Sequence, residues 1–119
     1  MASLRPARRV GASRQAFLIG PYAIKMPSTR AWTNFLWGLI ANLNERRRAR
    51  LNTPTACPVL LADPIGLIVV MPRCEPLGRD VTDAEYDAIT QGDDWLLPVE
   101  RKPDSFGWLG ERLVAVDYG

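Results

Sequence analysis

Apolar residues recur at Trp32, Phe35, Leu36, Leu39, Ile40 and Leu43. Steps of three and four along one helix face predict an amphipathic helix, with this stripe as the side that packs. Ser28 or Thr29 is placed to cap it, and it is expected to run to about Leu51. Its last turn, Arg46-Arg47-Arg48-Ala49-Arg50, puts cations where the helix dipole favours them. Elsewhere the pattern is short and strand-like. Val10 to Gly20 reads as a hairpin turning at Gly11-Ala12-Ser13, with Ala16 to Ile19 as a strand. Gly20-Pro21 is a second turn, leading to a strand over Tyr22 to Met26. Val59 to Ala62 and Leu67 to Met71 are apolar runs joined by Asp63-Pro64-Ile65-Gly66, a good turn sequence. Thr82 is placed to cap a helix over Asp83 to Thr90, and Gln91 to Asp104 reads as irregular. Phe106 to Leu109 and Arg112 to Val116 form a last hairpin about Gly110-Glu111. Trp95-Leu96-Leu97 and Trp108 are expected in the core. The order of elements is that of an α+β fold, because it lacks the regular alternation of a parallel sheet.

With 119 residues and 47% hydrophobic content, the chain fits one domain with a core sufficient for folding. Histidine is absent, and Cys57 and Cys74 lack metal-ligand spacing. A structural zinc site and an imidazole base are therefore not expected. The two cysteines leave either free thiols in a reducing compartment or a single disulfide. Met1 to Arg9 is basic without an apolar run behind it, and no run is long enough to span a membrane. The expectation is a cytoplasmic protein with no membrane partner.

Charge divides the chain. Residues 1–51 hold ten Lys/Arg against one acid, Glu45, a net +9, while residues 52–119 hold five against twelve, a net −7. Such a division predicts an interface between the halves, or one basic and one acidic face. On the helix, Trp37 lies roughly 140° from Trp32 and projects outward at 100° per residue. Trp37 with Arg46, Arg47, Arg48 and Arg50 is a candidate partner-binding surface, for an acidic protein face or for nucleic acid.

A strand ending in Lys25, and a late apolar strand running into Asp117-Tyr118-Gly119, together resemble the protein kinase-like fold. In the resemblance, residues 1–7 are a flexible arm, 8–71 the small lobe, and 72–119 a hinge with a reduced remnant of the large lobe. That remnant ends in a β-hairpin, and the small lobe is an antiparallel sheet with one long helix. Gly11, Ala12 and Ser13 correspond to the phosphate loop, Lys25 to the phosphate-binding lysine and Glu45 to the glutamate that pairs with it. Pro72-Arg73-Cys74-Glu75 resembles the hinge that carries adenine. Asp117 is similar to the metal-binding aspartate of Asp-Phe-Gly, which implies ATP and magnesium as cofactors. The likeness is nearest to small kinase-like proteins associated with bacteriophages and prophages. It implies a host or defence component as partner.

The departures from the family point away from ordinary phosphotransfer. At the spacing of the catalytic loop, Glu100 stands where an Asp base is expected, and Ser105 where an Asn would hold the second magnesium, with Asp104 as a substitute ligand. A longer base moves the reacting oxygen by about a bond length, and small misplacements are costly. Met71 to Glu100 leaves room for one short helix, and nothing follows Gly119 to hold a peptide substrate. On the helix, Glu45 points away from the apolar stripe and Asn42 lies nearer its edge. The expectation is a catalytically impaired kinase-like module that binds a partner protein. The alternatives are a minimal ATP- and magnesium-binding phosphotransferase with Glu100 as base, and nucleic-acid binding through the arginine cluster.

Overall fold

The first three strands form a meander: β1 (Ala7–Val10), β2 (Arg14–Ile19) and β3 (Tyr22–Pro27). Gly20 makes the tight second turn with φ of 55°, a left-handed conformation that glycine adopts without steric cost. The computed structural model describes residues 5–11, 13–50, 54–90 and 99–118. After β3 come helix α1 (Trp32–Ala49), β4 (Leu61–Ala62), β5 (Val69–Pro72), β6 (Glu75–Pro76) and α2 (Asp83–Thr90). A 3-10 turn at Pro103–Ser105 leads into β7 (Phe106–Leu109) and β8 (Arg112–Ala115). Among the described residues the strands form two antiparallel sheets, ordered β1-β2-β3-β5-β4 and β6-β7-β8. The fold is α+β, as the element order implies.

Local chemistry accounts for several of these elements. Thr82 and Glu85 form a reciprocal capping box at the start of α2. The Glu85 N–H donates to Thr82 Oγ1 at 3.1 Å and the Thr82 N–H donates to Glu85 Oε1 at 2.9 Å. The Asp63 carboxylate organises the turn between β4 and β5, accepting from the N–H groups of Ile65 at 3.2 Å and Ile68 at 2.6 Å. The main core lies between the second sheet, α2 and the end of the chain, built from Cys57, Val69, Met71, Ile89, Phe106, Val114, Ala115 and Tyr118.

Several expectations are corrected. Ser28 and Thr29 do not cap α1. Its N-cap is Ala31, without a side-chain hydrogen bond, and Ser28 Oγ instead accepts from the Arg30 N–H. The strand β1 begins at Ala7, the last residue assigned to the arm. Of the first apolar run in that hairpin only Leu61–Ala62 is strand, with the Leu60 N–H donating to the Val70 carbonyl at 2.8 Å. The short strand β6 was not expected; it begins at Glu75, at the end of the segment that resembles a hinge. Trp108 is half-buried against the core instead of inside it. Ala12, Leu51, Trp95, Leu96, Leu97 and Gly119 lie outside the described residues.

The largest correction concerns the face of α1. The side turned to the protein carries Gly38, Asn42 and Glu45, all buried. Half of the apolar stripe faces outward: Trp32 is 72% exposed, Leu36 42% and Ile40 47%, with Trp37 beside them at 65%, while Phe35, Leu39 and Leu43 are half-buried. Two features impose this orientation. A Cβ on Gly38 would lie 2.7 Å from Pro27 Cα, so glycine lets the helix approach the sheet there. Glu45 and Asn42 also find their hydrogen-bond partners only on the sheet side, and buried polar groups must be paired.

Candidate functional site

A cleft of about 560 Å³ lies between the first sheet, residues 72–78 and the second sheet. The register of β2 and β3 builds its roof. Ala16 is paired with Lys25 and Leu18 with Ala23, so Arg14, Ala16, Leu18, Ala23 and Lys25 share one face at the two-residue strand period. Met71 lies across from Ala23 on β5 and continues that face. One side is formed by Pro72, Cys74, Glu75, Pro76 and Leu77, and the floor by Lys102, Pro103, Asp104, Phe106, Gly107, Val116 and Asp117.

At the inner end of the cleft, Arg14 and Lys25 converge on Glu45, and Asp117 joins them through Arg14. Lys25 Nζ donates to Glu45 Oε2 at 2.9 Å and to Oε1 at 3.1 Å, and also to the Val116 carbonyl. The Arg14 guanidinium grips the same carboxylate from the other side, at 2.6 and 2.9 Å, in a two-pronged contact. Its Nη2 also pairs with Asp117. The Tyr118 N–H adds a 3.0 Å bond to Glu45 Oε2. Asn42 ties the cluster to the backbone, accepting from Arg14 at 3.1 Å and donating to the carbonyls of Lys25 and Gly66. Lys25 and Glu45 are therefore paired directly, and Asp117 is joined to them through Arg14. Glu45 reaches Lys25 from the polar side of α1, which the apolar stripe had argued against.

The electrostatics follow from burial and pairing. Burial alone would raise the Glu45 carboxyl, but Lys25 and Arg14 outweigh it and hold it at about 2. Burial pulls the Arg14 guanidinium down, and the charges of Glu45 and Asp117 more than reverse this, leaving it above its usual value. The Tyr118 phenol is pushed up by burial and by the Glu45 charge, and its hydroxyl donates to the Cys57 carbonyl at 2.7 Å. Buried charges persist only when paired and hydrogen-bonded, and Glu45 meets that condition.

The other anticipated residues fall in several places. Asp104 lines the cleft. Glu100 does not; its carboxylate is exposed and pairs with Lys102 at 3.4 Å. Ser105 is buried away from the cleft, its Oγ without a hydrogen-bond partner among the described residues. Ser13 turns its carbonyl to the Ser28 N–H and is not part of the cleft wall, although Gly11 is. Arg48 is half-buried and donates to the Tyr118 carbonyl at 3.4 Å, which removes it from the proposed outer surface. Arg47 bonds Asn44, and Arg47 and Arg50 are exposed at the end of α1.

Sequence reasoning passed over Arg14. The signal was its place two residues before Ala16 and directly after the Gly11–Ser13 turn, on the strand face that carries Leu18. It also passed over the contact of Cys57 with Cys74, whose sulfurs lie 3.6 Å apart.

No protein-family model, curated protein or solved structure matches the chain. The site's meaning rests on its own geometry.

Proposed function

We propose that the chain is a kinase-like binding module whose cleft takes a nucleotide without transferring its phosphate. The observation that carries this reading is the placement of Arg14 between Glu45 and Asp117. The cleft offers the parts a nucleotide uses: apolar walls at Val10, Leu18, Ala23, Met71 and Leu77 for a base, and Arg9, Lys25 and Lys102 for phosphates. An antiparallel small-lobe sheet with one long helix and a lysine–glutamate pair also agrees with the resemblance.

The residues do not fit the family's magnesium ions. Asp117 is engaged by a guanidinium and the hydroxyl of Ser105 lies outside the cleft, so Asp104 lines it without a cluster of ligands around it among the described residues. A fixed cation already neutralises the carboxylate that would otherwise recruit a divalent ion. Glu100, the base that the resemblance supplies, is also outside the cleft, so it is not in position to accept a proton from a substrate hydroxyl. Nucleotide binding is therefore expected to be independent of magnesium. Thermal shift with ATP in EDTA and in magnesium tests this. Equal stabilisation in both, lost in Lys25→Ala, is expected. Stabilisation only with magnesium, or none at millimolar ATP, defeats the reading.

A second reading, protein binding, is favoured by the outward face of α1. Trp32, Leu36, Ile40 and Trp37 are exposed on successive turns, flanked by exposed Arg30, Arg47 and Arg50. Leu39 and Leu43 are covered by the turn at Gly66, which extends the surface toward exposed Ile65 and Leu67. Large exposed apolar patches mark interaction sites, and the positive border selects an acidic, amphipathic segment of a partner protein. A synthetic acidic amphipathic helix is the probe, read by fluorescence anisotropy. Binding at least tenfold weaker to Trp32→Ala is expected. Unchanged binding, displacement by duplex DNA, or self-association that buries this face each overturns it.

A further inference from the structure

We propose that Cys57 and Cys74 form an oxidisable dithiol, closed to a disulfide by low-molecular-weight disulfides that enter through the cleft. The two cysteines come from different segments. Cys57 follows the bridge of Ala56 to Ala115 and is fully buried, its N–H bonded to the Ala115 carbonyl at 2.8 Å. Cys74 is in the link between β5 and β6, half-buried, and lines the cleft. Their sulfurs are 3.6 Å apart, and both face the Pro72 carbonyl at 3.7 and 3.8 Å. Neither thiol is in a disulfide. Both residues flank the cluster floor: the Cys57 carbonyl receives the Tyr118 hydroxyl, and Cys74 packs where a Cβ on Gly107 would touch it at 2.8 Å.

The chemistry assigns each thiol a role. The hydrogen bond from Cys57 favours the Cys74 thiolate and holds its ionisation below the usual value, helped by Lys25 and Arg112 against burial. The same bond, together with burial, pushes Cys57 up. Cys74 is thus the attacking thiolate and Cys57 the resolving thiol. Cys74 Sγ attacks one sulfur of R–S–S–R, forming a mixed disulfide and releasing one thiolate. Cys57 then gives up its proton and attacks Cys74 Sγ, forming the internal bond and releasing the second thiolate. Two electrons pass from the protein thiols to the small disulfide, and the protons released at the two cysteines end on its two thiol products. The sulfurs must close from 3.6 Å to about 2.05 Å, drawing the Cys74 wall of the cleft toward the segment that carries Cys57. The proposal does not depend on the nucleotide reading.

The test treats native protein with oxidised glutathione, blocks remaining thiols and weighs the intact chain. Wild type is expected to lose two hydrogens, retain no glutathione, and yield a linked Cys57–Cys74 peptide pair. Cys57→Ser and Cys57→Ala are expected to keep one glutathione on Cys74. Cys74→Ser is expected to remain unmodified, because Cys57 is buried. Should the Cys57 variants fail to fold, peptide mapping of wild type decides alone. Wild type that keeps an adduct, wild type left reduced while a reference dithiol is oxidised, or Cys74→Ser reacting as fast as the Cys57 variants overturns the proposal.

Discussion

Replacing Glu45 with Gln tests the ionic cluster directly. Glutamine keeps the shape of the side chain and can still accept hydrogen bonds, but it cannot balance Lys25 and Arg14. It is also a close stand-in for protonated glutamate. A carboxyl held at about 2 in the folded protein instead of 4.5 favours folding, in its charged form, by about 3 kcal/mol at about 1.4 kcal/mol per pH unit. Because the folded value is depressed, this contribution is full above pH 4.5 and is lost as pH falls through 2. At neutral pH Glu45→Gln is therefore expected to cost about 3 kcal/mol, a large share of the roughly 5–15 kcal/mol that holds a domain together. The figure agrees in size with the about 3–5 kcal/mol for removing one partner of a buried ion pair. Urea unfolding of both proteins from pH 7 to pH 2 measures it. Their stabilities are expected to converge as pH approaches 2. Glu85, also held at about 2 by the Arg79 and Thr82 hydrogen bonds, is present in both proteins and cancels in the difference. A difference below about 0.5 kcal/mol at pH 7, or one that stays constant from pH 5 to pH 2, would refute the cluster as drawn.

Three further substitutions probe its supports, each read by urea unfolding. Gly38→Ala is expected to destabilise by about 1–3 kcal/mol, because the new methyl meets Pro27 and the Ser13 carbonyl; helix propensity alone predicts a gain of about 1 kcal/mol, so the sign decides. Tyr118→Phe removes the donor to the Cys57 carbonyl and is expected to cost about 1–3 kcal/mol, with no loss if that carbonyl finds another donor. Thr82→Ala breaks the capping box of α2 for about 1 kcal/mol, and an unchanged unfolding midpoint would show that the box contributes nothing.

Much of the local architecture is written in local residue patterns. The last hairpin turns at Gly110-Glu111, and α2 starts at Thr82, because turn and capping chemistry act over three or four residues. The spacing of Lys25 and Glu45 was also readable, since a strand followed by a helix sets their separation to within a turn. What escaped depended on contacts far apart in sequence. Arg14 meets Asp117 across 103 positions, and Cys57 meets Cys74 only when the link between β5 and β6 folds onto the segment beside β8.

The amino-acid sequence by itself determined the long helix, α2 and most of the strands, and which charges were available to meet. It did not determine which way α1 faces. Periodicity weighs apolar area, and by that measure Trp32, Leu36 and Ile40 belong inside. The tertiary structure decided otherwise, because a close helix–sheet approach at Gly38 and the pairing of Glu45 with two cations turn the polar face inward. An unpaired buried charge costs more than an exposed apolar stripe. That balance can be struck only once the partners are in place.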